Sequence, residues 1–143
     1  MVRLIVIGMA LSLLVGCHRT PDEQRIRESI AAMQKAVEAG QPRDFMSYVS
    51  KDFTGNDGSV DREGLMNVLR VEVLRNEKAG VTLGPIDLDL QGDRAIVHVA
   101  ATLTGRSGGL LPERGSIYAI TSGWRREGSE WRCYNASWSS DAR

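Results

Sequence analysis

Apolar residues run almost unbroken from Leu4 to Val15, then return only at helical intervals within a polar stretch. Ile26, Ile30, Met33 and Val37 follow the i, i+4, i+7, i+11 spacing that lines one face of a helix. Thr20-Pro21-Asp22-Glu23 ahead of them has the form of a capping box with proline at the first helical position, and Gly40 supplies the stop. Pro42 opens a second, shorter helix carrying Phe45, Met46, Tyr48 and Val49. A Gly/Asn/Asp loop, Gly55 to Ser59, leads to a third helix from about Asp61 to Lys78. That helix is predicted to bury Leu65, Val68, Leu69 and Val73 and to end at Gly80.

From Val81 the helical period gives way to alternation. Ile86, Leu88 and Leu90 alternate with Asp87 and Asp89, which should face water, and Gln91-Gly92-Asp93 makes the turn. Ala95, Val97, Val99, Ala101 and Leu103 then form the inner face of a long strand; Ile96, His98, Ala100 and Thr102 form its outer face. The stretch Gly105 to Gly115 reads as a loop with an apolar centre, Leu110-Leu111-Pro112, either a lid over a pocket or a clip onto a neighbouring subunit. Ser116 to Arg126 and Glu130 to Trp138 form a last hairpin, turned at Gly128-Ser129. Three helices followed by four antiparallel strands is a segregated α+β pattern.

The N-terminal apolar run spans about 12 residues, whereas a helix needs roughly 20 to cross a bilayer. Leu14-Val15-Gly16-Cys17 at its end resembles the bacterial lipoprotein signal, and Arg3 stands upstream as its basic residue. The resemblance implies that residues 1–16 are removed and that Cys17 becomes the first residue. It would carry a diacylglyceryl group on sulfur and an acyl chain on its amine. One such chain gives only marginal membrane binding, at about 0.8 kcal/mol per buried methylene; three make attachment lasting. His18, where an aspartate would act as a retention signal, implies the inner leaflet of the outer membrane, facing the periplasm. Residues 17–21 then form the lipidated cysteine and a short tether, residues 22–139 one domain, and residues 140–143 a tail.

The full chain of 143 residues carries 18 basic and 18 acidic side chains. Loss of Arg3 with the signal leaves a net charge of −1, and the arginines are spread without a cluster. Nucleic acid is therefore excluded as a partner on electrostatic grounds. With Cys17 lipidated, Cys133 has no partner within the chain and reads as a small buried apolar residue. A zinc site lacks soft ligands, and no cofactor motif is present. Asp52, Thr54, Asn56 and Glu63 fall at positions 1, 3, 5 and 12 of a calcium loop, but Asp57 stands where its glycine belongs, so the segment reads as a turn.

Several loose motifs carry a second resemblance. They are Val49-Ser50-Lys51-Asp52-Phe53 leading into Asp57-Gly58, the long helix that follows, Gly92-Asp93-Arg94-Ala95 before a valine-rich strand, and the closing Gly123-Trp124-Arg125-Arg126-Glu127-Gly128 and Trp131-Arg132. In this order they resemble the NTF2-like superfamily, with its ketosteroid isomerase and SnoaL-like members. The resemblance implies an α+β cone, with three N-terminal helices packed on a curved antiparallel sheet of about four strands around a pocket. It also implies dimers formed through the outer sheet face, where His98 would be an interface residue. Fold alone does not choose among enzyme, binding module and scaffold.

Catalytic relatives place carboxylates inside the cone, and here no carboxylate pair is predicted to be buried. Asp57 at the pocket mouth as base, with Tyr48 or Tyr118 as hydrogen-bond donor, is the enzyme candidate. Tyr118, Ile120 and Trp124 share one strand face and, with Tyr48, are the candidates for lining an apolar ligand pocket. The reading favoured is a lipid-anchored envelope domain that binds a small apolar ligand or an envelope protein without transforming it. The alternatives are an isomerase- or hydrolase-type enzyme and a scaffold whose cone is filled by its own side chains.

Overall fold

The structure, a computed structural model, describes residues 20–75, 78–106 and 116–140. Cys17, its signal and the Leu110-Leu111-Pro112 segment lie outside the described residues. In chain order the elements are α1 (Pro21–Glu38), α2 (Pro42–Met46), β1 (Val49–Gly55), β2 (Val60–Asp61), α3 (Arg62–Arg75), β3 (Lys78–Leu83), β4 (Asp87–Gln91), β5 (Arg94–Arg106), β6 (Ser116–Glu127) and β7 (Glu130–Ser140).

Local chemistry sets the ends of α1 where the sequence places them. Thr20 Oγ1 accepts a hydrogen bond from the Glu23 amide at 3.3 Å, and Pro21 occupies the first turn. Gly40 follows the last turn in a left-handed conformation, φ 66°. α1 buries Ile26 completely, while Ile30 and Met33 pack against the same core.

The sheet has seven strands, in the order β2-β1-β7-β6-β5-β3, with β4 also paired to β5. This corrects the expectation of about four. The added strands are β1, β2 and β3, which begin at or beside the predicted helix ends. Tyr48 and Val49 do not extend the second helix, which ends at Met46; Val49 opens β1. The third helix ends by Arg75, and Gly80 lies within β3 opposite Thr104. The sheet is also not wholly antiparallel, because β1 runs parallel to β7.

Between β6 and β7 the pairing shifts: Gly123 faces Asn135, while Trp124 faces Cys133. Tyr134 is thus the extra residue of a bulge, and it switches which residues point inward. Before it Trp131 and Cys133 are buried; after it Ala136 and Trp138 line the interior. A Cβ on Gly123 would lie 2.4 Å from Asn135 Oδ1, so a larger residue there would displace the Asn135 side chain.

Both α1 and α3 pack over the concave face, around a core built on Ile26, Met46, Val49, Phe53, Val97, Trp124 and Trp131. Among the described residues, no helix is long and apolar enough to cross a membrane.

Candidate functional site

Below the helices the curved sheet leaves a cavity of about 300 Å³. Its floor is Val97, Trp124 and Cys133, exposed by 0%, 2% and 4%. Its walls are the inward residues of β5 and β6, the C-terminal half of α1, and Leu65, Val68 and Leu69 of α3. Higher on the walls Leu103, Tyr118 and Trp138 are half-buried and Val68 is exposed, while Val81 and Ala101 beside them are buried.

Few polar side chains reach this space, and two of them are already engaged. Ser122 Oγ accepts from Trp124 Nε1 at 3.0 Å, satisfying the indole of the buried tryptophan. Gln34 Nε2 donates to the Val81 carbonyl at 2.6 Å, tying α1 to β3. Tyr118 lines the upper wall with its ring. Glu72 is the one carboxylate on the wall among the described residues, and no lysine, arginine or histidine shares it. Burial pushes the Cys133 thiol up to about 12, and its S–H donates to the Asn135 carbonyl at 3.2 Å. That sulfur is a piece of apolar floor and not a nucleophile.

The charged residues of the sheet collect outside the cone. Arg125 pairs with Asp52 and with Glu127, and Arg132 pairs with Glu130 at 2.7 Å. The fully buried Ser50 donates its hydroxyl hydrogen to Glu127. That bond, helped by Arg125, holds the Glu127 carboxyl below its usual range although burial opposes it. Tyr134 lies between Arg94 and Arg125, whose guanidinium carbons stand 5.0 and 5.3 Å from its ring centre.

Of the residues singled out in the sequence, Tyr118, Ile120 and Trp124 lie on the cavity wall together. Tyr48 does not: it sits in a shallow groove between α1 and α2, and its carbonyl accepts from the Cys133 amide at 2.9 Å. Asp57 is exposed in the turn after β1, at φ 58°, and forms no part of the cavity lining. His98 is exposed on the outer face with Nδ1 3.0 Å from Thr121 Oγ1. Asp87 and Asp89 are exposed. Sequence reasoning missed Glu72 and Gln34, yet helical spacing contained the signal. Glu72 follows Leu65 and Leu69 at i+7 and i+3, and Gln34 follows Ile30 at i+4.

No family model and no curated protein sequence matches the chain. Solved structures do. A candidate dehydratase from the NTF2-like family of Streptomyces avermitilis superposes with a TM-score of 0.73 at 14% identity, over 85% of this chain and 97% of that one. The hexachlorocyclohexane dehydrochlorinase LinA-type3 of Novosphingobium barchaimii gives 0.70 at 13% identity, over 84% and 86%. Bd1075 of Bdellovibrio bacteriovorus gives 0.70 at 11% identity over 82% of this chain, which spans only 41% of that larger protein. Helices over the concave face of a mostly antiparallel sheet, an interior cavity and these neighbours together make the fold NTF2-like.

Proposed function

We propose that this protein is a lipid-anchored component of the cell envelope whose cone binds a small apolar molecule without transforming it. The observation that carries the reading is the cavity: about 300 Å³, walled almost entirely by aliphatic and aromatic side chains. That volume is at the lower end of the roughly 300–1,000 Å³ typical of ligand sites. A cone packed solid by its own side chains would leave no such space, which favours binding over a filled scaffold. The anchor rests on the Leu14-Val15-Gly16-Cys17 motif.

The test is titration of the full chain with an uncharged naphthylamine fluorophore. Saturable binding at one site, lost when Ala136→Phe fills the cavity, is the expected result. Absence of saturable binding by the wild-type chain would overturn the proposal.

One observation favours a second reading, an isomerase- or hydrolase-type enzyme: Glu72 places a carboxylate on the same wall as Tyr118. The enzymes among the structural neighbours are consistent with it. Ligand co-purified with the full chain from its host decides between the two. Recovery unchanged after prolonged incubation supports binding; conversion that stops in Glu72→Gln supports catalysis.

A further inference from the structure

We propose that the β6–β7 hairpin end of the cone lies against the membrane and that the Tyr118 end of the cavity wall points away from it, toward the aqueous compartment. This inference rests on the lipid-anchored reading of Cys17. Between Cys17 and the first described residue stand only His18 and Arg19, so the tether from Cys17 to Thr20 reaches about 10 Å at full extension. Whatever lies beside Thr20 is therefore held close to the bilayer surface.

The residues beside Thr20 belong to the hairpin. Asp22 accepts from Trp131 Nε1 at 3.1 Å and from an Arg126 guanidinium nitrogen at 2.6 Å. One turn along, Arg25 donates to the Ser129 carbonyl at 3.0 Å. Three contacts thus fix the start of α1 to the β6–β7 turn. The cone is closed at this end, where Ile26 and Trp131 are 0% and 4% exposed.

Two internal rulers place the upper wall of the cavity far from there. α1 runs from Asp22 to the cavity-lining Val37, about 15 residues and roughly 22 Å of helix. β6 runs from Tyr118 on the upper wall to the turn at Gly128, about ten residues and roughly 30 Å of strand. The end of α3 lies at this far end as well, since a Cβ on Gly40, just past α1, would stand 3.5 Å from Val73. Its neighbour Leu74, 86% exposed, is consequently held out of the anchoring bilayer.

The experiment uses the full lipidated chain in phosphatidylethanolamine–phosphatidylglycerol vesicles containing a headgroup-nitroxide lipid. Ser129→Cys and Ser116→Cys variants each carry a bimane label; both sites are exposed, and the native Cys133 is buried. Acylation of Cys17 is followed in parallel by palmitate incorporation. The expected result is several-fold stronger quenching at position 129 than at position 116. Equal quenching, or stronger quenching at 116, in an acylated protein overturns the orientation alone. Absence of acylation overturns the anchor and the orientation with it.

Discussion

The indole nitrogen of Trp131 donates to Asp22 Oδ1 at 3.1 Å, which helps fasten the last hairpin to the first helix. Asp22 also pairs with Arg126, and Arg126 stacks 5.2 Å above the Trp131 ring. Asp22→Ala leaves the Trp131 N–H, on a side chain 4% exposed, without its partner. The expected loss is about 1–3 kcal/mol, read as a lower urea midpoint with an unchanged slope. Asp22→Asn, which keeps an acceptor, should recover most of it.

Gly55 ends β1 under the ring of Trp138. A Cβ there would lie 2.8 Å from two indole carbons, and 3.3 Å from Phe53. Gly55→Ala must push the Trp138 ring, a wall residue, toward the cavity. A destabilisation of about 1–3 kcal/mol is expected, together with weaker binding of the naphthylamine probe and a shifted tryptophan emission. Unchanged binding would show that Trp138 yields in another direction.

Cys133 tests whether the floor is sealed. With its thiol at about 12 and its side chain buried, iodoacetamide at pH 8 should leave the folded protein unmodified. Full labelling is expected only in denaturing urea, as measured by intact mass. Bound naphthylamine probe should slow labelling further at intermediate urea, because it stabilises the folded state by mass action.

Glu127 gives a pH dependence of defined sign. Its folded carboxyl titrates below the ordinary value of 4.5, owing first to the bond from Ser50 and then to Arg125. Its contribution is thus complete above about 4.5 and is lost as pH falls through the lower folded value. Glu127→Gln should flatten the acid limb of the stability–pH curve and leave its slope near neutrality unchanged. Parallel acid limbs in the two proteins would assign the dependence to other carboxylates.

The parts of this fold that were legible are those written in neighbouring residues. The cap at Thr20, the face of α1 and the last hairpin with its turn at Gly128 all follow from local spacing, and each element lies where that spacing puts it. β1 was not legible. Val49 and Phe53 stand four apart, as on a helix, and the bulged register between Val49 and Thr54 spoils the alternation that would reveal a strand. Its partner β7 lies some 80 residues away in parallel, so no turn announces the pairing. The cavity was half legible. Strand alternation put Tyr118, Ile120 and Trp124 on one face, but nothing local distinguishes a face that encloses space from one that is packed. Tyr48 was misplaced for the same reason that β1 was missed, because the helix carrying it stops two residues earlier.

The parallel pairing of β1 with β7 also sets an order of events. Val49 and Gly55 find their partners Cys133 and Ala136 only when β7 is present, so a fragment lacking β7 cannot assemble this core. Pairings of such long sequence separation slow folding, because the loop must close before any contact rewards it. A chain crossing a membrane from its N-terminus would stay open until β7 arrived. The pairing that closes the cone on β1 therefore waits for β7, after the other described strands of the wall have been made.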